Sequence, residues 1–363
     1  MSLMSLMSHM PLTSLQPAFN GFIAPRHTAM IQNRRNTMNP VAMALLMSLI
    51  GMSATSHGAD NLTHYPTKPI RMLAPEPGGG NEVAARLLAQ SLSQSLGRNI
   101  VIENRGGASG EIAGDIVAHA PADGYTLLYY GSTLWLLPYL RKNLPFNPAK
   151  DFAPISQVTY APFFLFIHPS LAVKNVSELI ELAKNRPGSL NYGSAGSGSA
   201  THLSGELFNT LAHVHIVRVA YKGSALAASA LLSGEVQLMF VSAAVGLNHI
   251  KSGRLKALAI ASAKPSALAP EVPTMTSAGL PGFEASSMSG LFAPAKTPPA
   301  IITLLNQRVT QALQQEGLKQ QFLKIGTQAV GNSPEAFSQV IHNDTIKWSK
   351  VIREAGISED IGR

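Results

Sequence analysis

The chain has 363 residues, with 28 Lys and Arg against 20 Asp and Glu, 30 Gly, 24 Pro and no Cys. At 45% hydrophobic and 13% charged residues it has the apolar content to bury a core, which excludes a disordered chain of low hydrophobicity and high charge. The absence of cysteine excludes a disulfide framework, a thiolate metal site, an iron–sulfur cluster and a cysteine nucleophile.

The first 60 residues differ from the rest: they hold nine of the 13 Met, three Arg and no acidic residue before Asp60. Arg34 and Arg35 precede an apolar run of 12 residues, Val41–Met52, and small residues follow at Ala54-Thr55-Ser56 and Gly58-Ala59. The run is shorter than the roughly 20 apolar residues a bilayer span needs. Basic, apolar and small segments in that order read as a secretory signal peptide cleaved after Ala59 or Ser56, with Met30 and Met38 as alternative starts to Met1. Residues 1–59 are therefore expected to be a leader, and the mature chain a soluble, exported protein. Its charge would be 25 − 20 = +5, spread along the chain. The clustered basic face that nucleic-acid binding needs is not visible, whereas a mild positive field suits a small anion.

Strands and helices then alternate. Ile70–Ala74 reads as a strand ended by Pro75-Glu-Pro-Gly-Gly-Gly80, and Asn81–Leu96 as a helix with Val83, Leu87, Leu88 and Leu92 on its apolar stripe, closed by Gly97. Ile100–Glu103 is the next strand, Ile112–Ala120 a helix, and Tyr125–Tyr130 a third strand after an Asp123-Gly124 turn. The pattern repeats with strands at Phe163–His168 and Leu190–Tyr192. A Gly/Ser-rich turn (193–199), a helix over Thr201–Leu211, a strand over Val214–Val219 and a helix over Ala225–Ser233 follow. Further strands are Val236–Phe240, Leu255–Ala261 and Met288–Phe292, and the tail is helical over Ile301–Leu313, near Leu318 and over Pro334–Ala355. The alternation argues for two α/β halves on a largely parallel sheet covered on both faces.

Each half has a glycine-rich strand-to-helix turn. Pro77-Gly-Gly-Gly-Asn-Glu82 would let the backbone approach a ligand and aim helix N–H groups at an anion. It lacks the Lys-Ser/Thr of a phosphate loop and does not match G-x-G-x-x-G, so no nucleotide is expected. Ser194–Ser199 with Thr201 and His202 offers the same geometry with added hydroxyls, Ser199 or Thr201 being the helix cap. His213 and His215 alternate on one face of their predicted strand, but no third ligand is evident and no metal is expected. No G-x-S-x-G, H-E-x-x-H or acidic pair marks a hydrolase.

A set of motifs falls in one order. It comprises Tyr65-Pro-Thr-Lys-Pro-Ile-Arg71, Pro77-Gly-Gly-Gly80, Glu103-Asn-Arg105, Asp123-Gly-Tyr-Thr-Leu127 and Asp151-Phe-Ala-Pro-Ile155. Asn191-Tyr-Gly-Ser194, Thr201-His-Leu-Ser-Gly-Glu-Leu207, Tyr221-Lys-Gly223, Leu238-Met-Phe240, Val272-Pro-Thr274 and Gly290-Leu-Phe-Ala-Pro294 continue it. Over about residues 65–357 the chain resembles the Bug family of periplasmic solute-binding proteins, receptors of tripartite tricarboxylate transporters. The resemblance implies an α/β, two-lobed periplasmic-binding-protein (Venus-flytrap) fold with two crossover strands near Phe163–His168 and Met288–Phe292. Residues 60–162 and 288–363 would form lobe 1, and 163–287 lobe 2.

It further implies a monomeric receptor that captures a small organic acid between the lobes, without catalysis or cofactor, and passes it to membrane permease subunits. A receptor for a membrane signalling kinase is the alternative, and an α/β enzyme acting on a carboxylate a more remote one. The family's binding segments carry over onto Pro77, Gly78, Gly79, Gly80, Asn81 and Glu82; Gly131, Ser132 and Thr133; Ser194, Gly196, Ser197, Gly198, Ser199, Thr201 and His202; Tyr221, Lys222 and Gly223; and Val241 and Ser242. This chain departs from the pattern at Glu76, Asn81, Glu82, Leu134, Trp135 and Val241. Leu134, Trp135 and Val241 are expected to make the cleft apolar and Glu76 to oppose a polyanion, which points to a monocarboxylate with an apolar or aromatic body.

Overall fold

The computed structural model describes residues 65–74, 80–105, 110–266 and 269–357. The leader lies outside the described residues, as do Glu76, Pro77, Gly78 and Gly79. In chain order the first elements are β1 (Ile70–Ala74), α1 (Gly80–Leu96), β2 (Ile100–Asn104), α2 (Glu111–Ala118), β3 (Thr126–Gly131), α3 (Thr133–Leu140), α4 (Pro148–Asp151) and β4 (Phe152–Ile167). Then come α5 (Val176–Asn185), β5 (Asn191–Ser194), α6 (Ala200–Ala212), β6 (Val217–Ala220), α7 (Ser224–Ser233), β7 (Leu238–Ser242), α8 (Ala243–Lys251) and β8 (Lys256–Ile260). The chain closes with β9 (Ser286–Pro294), α9 (Pro299–Gln314), α10 (Glu316–Lys324), β10 (Gln328–Ala329) and α11 (Pro334–Glu354).

The strands run in the order β2-β1-β3-β9-β4-β7-β5-β6, with β8 and β10 pairing β4 off this path. Each flank is parallel, β2-β1-β3 on one side and β7-β5-β6 on the other. The two central strands are not: β9 runs antiparallel to β3 and β4, and β4 antiparallel to β7 and β8. The sheet is thus mixed where alternation suggested a largely parallel one, because β4 and β9 are long connecting strands rather than members of βαβ units. β4 has 16 residues, on the order of 50 Å of extended chain. Its first part, Phe152–Pro162, pairs with β9, and from Phe163 its partner is β7. Pro154 would interrupt a regular ladder, and the register shifts between Pro154 and Ser156 accommodate it.

Helix α1 shows how packing selects a face. Ala84, Ala85, Leu88, Ala89 and Leu92 are buried, whereas Val83 is 37% exposed and Leu87 only half-buried. A stripe of alanines lets α1 lie close against α9 and β2, so the buried face is the alanine side rather than the one marked by the larger residues. One apolar cluster forms here, from Ile70, Met72, Leu88, Tyr129, Leu305 and Phe322. A second collects Phe164, Phe166, Leu231, Met239, Val241 and Ile260. The third holds Trp135, Phe292, Phe337 and Trp348 together with Phe208, Phe240 and Phe283. It follows α11, which packs on α3 at one side and on α6 at the other. Among the described residues no helix is long and apolar enough to cross a membrane.

Candidate functional site

The first half contributes two turns. Asn81 and Glu82 stand in the first turn of α1, directly after Gly80. The Asn81 amide lies beside Gly131: a Cβ at Gly131 would come 3.3 Å from Asn81 Nδ2 and 2.9 Å from the Met288 carbonyl oxygen. Gly131 is therefore fixed by the approach of two neighbouring segments. Glu82 is only 5% exposed and is paired with Arg86 one helical turn on. Arg86 Nη2 also donates to Asn104 Oδ1 at 2.9 Å, so the carboxylate is neutralised within its own helix. Ser132 precedes α3 in a right-handed helical conformation and makes no side-chain cap bond, and Thr133 is the first residue of that helix. Trp135 holds α3 in place by packing on Phe292 and Phe337 and by donating its indole N–H to Asp344 Oδ2 at 2.8 Å. Trp348 donates to the other oxygen of Asp344 at 2.9 Å. Burial raises the pKa of Asp344, against the opposing indole hydrogen bond from Trp135 and the charge of Lys347.

The second half contributes the turn from β5 to α6, which a dense polar network shapes. Ser199 caps α6, accepting from His202 N at 3.3 Å. The backbone N–H of Ala195 donates to Thr201 Oγ1 at 3.0 Å, and that of Gly198 to His202 Nδ1 at 3.1 Å. The latter bond leaves the imidazole proton on Nε2, facing Glu206 Oε1 at 3.9 Å. Burial, and secondarily the Arg218 charge, lower the His202 pKa to about 3, so it is a neutral acceptor. Glu206 also accepts from the Tyr192 hydroxyl, whose pKa burial, and then Glu206, drive well above the usual phenol value. Arg218 on β6 reaches beneath the whole turn. Its Nε donates to Ser194 Oγ at 2.8 Å, Nη2 to the Ala195 carbonyl at 2.9 Å and Nη1 to Ser197 Oγ at 3.1 Å. The backbone N–H groups of Gly196, Ser197, Ala200 and Thr201 have no acceptor among the described residues. Such a run of N–H groups at a helix N-terminus attracts an anion.

Leu140 links the two halves. It ends α3, and a Cβ at Gly198, whose φ is +71°, would collide with its side chain. Helix α3 has eight residues, about 12 Å in all, so the Ser132-Thr133 turn and the Gly198 turn lie roughly one short helix apart. A second such contact joins Gly326, φ +72°, to Ala244 in the first turn of α8.

The remaining expected residues are placed less simply. Tyr221 N donates to the Ser194 carbonyl at 2.9 Å, extending the β5–β6 pairing, and its hydroxyl donates to Glu235 at 2.8 Å. Lys222 is exposed, and Gly223, at φ +139°, precedes α7 with open space around it. Ser242 stands before α8 without a side-chain cap bond. Val241 is paired with Phe164 and packed in an apolar cluster, with 3% exposure. Leu134 and Trp135 are likewise buried, at 1% and 5%. The expectation that these three side chains make a cleft apolar is corrected: each is committed to a core, and the argument for an apolar or aromatic ligand body loses its basis. His213 and His215 do not share a strand either, because α6 runs on to Ala212 and His213 terminates it at φ +51°. Among the described residues no group of three His, Asp or Glu could hold a metal ion.

Arg218 and Leu140 escaped the sequence reading. An arginine flanked by valines, one strand away from a serine-rich turn, was the available signal for Arg218. Leu140 carried none, since its role arises from an encounter distant in sequence.

Comparison with known proteins agrees with this architecture. The model of the tripartite tricarboxylate transporter family receptor matches residues 84–357. The chain belongs to that family. It is 37% identical to the protein BugT of Bordetella pertussis over 320 residues, covering 86% of this chain and 98% of that one. Among solved structures, Rpa4515 of R. palustris with adipate is similar, with 35% identity, a TM-score of 0.74, and 81% of this chain and 99% of that one covered. MatC of Rhodopseudomonas palustris with bound malate is 31% identical, with a TM-score of 0.71 over 79% of this chain and 100% of that one. The fold is the two-lobed α/β fold of periplasmic binding proteins.

Proposed function

We propose that this protein is an extracytoplasmic receptor that captures a small organic carboxylate between two lobes and delivers it, chemically unaltered, to the permease of a tripartite transporter. The lobes would be residues 60–162 with 288–363, and residues 163–287, the division falling where β4 exchanges its β9 partner for β7. The observation that carries the reading is the β5–α6 turn, where four backbone N–H groups find no acceptor among the described residues and a lobe-1 helix end meets the turn at Gly198. The family membership and the adipate- and malate-bound relatives support the ligand class. The leader-like first 59 residues support export.

A carboxylate seated on Gly196 and Ser197 would also come within reach of the Ser132 and Thr133 hydroxyls when the lobes approach. It would then make contacts in the closed form that the open form cannot offer, and only such a difference lets a ligand drive closure. Each charge-assisted hydrogen bond contributes about 1.5–3 kcal/mol before the costs of ordering. No step of this cycle needs a nucleophile or a proton transfer. Calorimetric titration with malate, adipate, citrate and benzoate, followed by NMR of the recovered ligand, tests the reading. Saturable binding of at least one acid with recovery unchanged is expected; no binding across the set, or recovery of a converted product, would overturn it.

A further inference from the structure

The polar groups of the β5–α6 turn are not all oriented alike. Its oxygens (Ser194 Oγ, the Ala195 carbonyl and Ser197 Oγ) point at Arg218, while the N–H groups of Gly196 and Ser197 find no acceptor among the described residues. A planar guanidinium with donors in a fixed fork can impose this division; a lysine ammonium, a single point charge on a flexible stem, cannot bind three acceptors in one plane. We infer that Arg218 is the positioning residue of this turn and the source of its positive potential, acting from behind the backbone without touching the ligand. This inference rests on the proposed carboxylate site.

Three features support it. All three nitrogens of the fork are engaged by neutral oxygens of the turn, and among the described residues no carboxylate is ion-paired with Arg218; Glu206, bonded to Tyr192, acts on it only through its charge. Around Gly196, which is exposed and surrounded by open space, the turn has no apolar anchor; its apolar contact, with Leu140, comes only at Gly198. Finally, Ser197 Oγ accepts from Arg218, so its own hydroxyl proton points away from the guanidinium. Removing the fork would release the turn oxygens and let the peptide planes rotate, and removing the charge would weaken attraction for any anion on the far side.

The test uses the full chain with Arg218→Gln and Arg218→Lys, first without ligand and then with malate and adipate as probes. Amide hydrogen exchange at Ala195 and Gly198, the two turn N–H groups bonded to Thr201 and His202, reads the positioning role without a ligand. It should accelerate about 10-fold or more in Arg218→Gln, with the rest of α6 unchanged, and by less in Arg218→Lys. Affinity for the probe that binds should fall about 30-fold or more in Arg218→Gln, with a flatter dependence on salt. Arg218→Lys, which keeps the charge, should retain the wild-type salt dependence with a loss nearer 10-fold. Exchange rates in Arg218→Gln equal to wild type would overturn the positioning role, and unchanged affinity and salt dependence would overturn the electrostatic one. Should the wild type bind neither probe, the proposed function would fail while the exchange measurement still decides the role of Arg218. Should Arg218→Gln not fold, Arg218→Lys decides: wild-type exchange in that variant would overturn the need for a fork.

Discussion

At the end of β3 the chain enters α3 through Ser132, whose hydroxyl caps nothing, and the helix that follows is held by Trp135 against Phe292 and Phe337. At the end of β5 it enters α6 through Ser199, which does cap its helix, and the turn is held by Thr201, His202 and Arg218. The first turn is fixed from below by apolar packing, and its hydroxyls find no partner among the described residues. The second is fixed by polar bonds that engage its hydroxyls and leave backbone N–H groups without an acceptor among the described residues. The two turns thus present different chemistry: hydroxyl groups at one and amide donors at the other. On the proposed function, a carboxylate, with two oxygens to satisfy, would bridge such partners.

The contrast can be broken at either turn. Trp135→Ala removes the packing that holds α3 and should cost about 3–5 kcal/mol of unfolding free energy, read by urea denaturation. At the second turn the weak point is electrostatic. Burial, and then Arg218, hold the His202 pKa at about 3 against an ordinary 6.5, so the unfolded chain takes up the proton first as pH falls. Stability is present in full above pH 6.5 and is lost as pH falls from there toward 3. Between pH 7 and 5 the loss should be about 2 kcal/mol from this residue, and His202→Gln should remove that part of the pH dependence. The two caps separate the turns more finely. Ser199→Ala should cost about 1 kcal/mol, whereas Ser132→Ala, which breaks no cap bond, should stay within about 0.5 kcal/mol. Equal effects from the two serines would erase the distinction.

Much of this arrangement was legible in the sequence because its signals are local. Gly97, at φ +64°, closes α1 where expected, and the Gly/Ser-rich tract after β5 is a strand-to-helix turn capped by one of the two residues expected there. Helix α3 was not legible. Five of its eight residues are buried and it contains Pro138, so it has neither an amphipathic period nor a proline-free run to mark it. The first part of β4 was hidden by Pro154 and Pro162, which ordinarily argue against a strand and here sit at a bulge and at the change of partner. The site chemistry was legible as a class of turn but not in its assignments. Residues that read as ligand donors, Ser194 and Thr201 among them, are engaged inside the turn, and the arginine that orders them lies on a different strand.

The most direct measurement is a crystal structure of the protein grown with whichever carboxylate titrates most tightly. The account predicts one carboxylate whose oxygens lie about 3 Å from the backbone nitrogens of Gly196 and Ser197, with the same molecule reaching the Ser132 or Thr133 hydroxyl. An acid bound to only one of these turns, or seated on an outer surface with both turns empty, would contradict it.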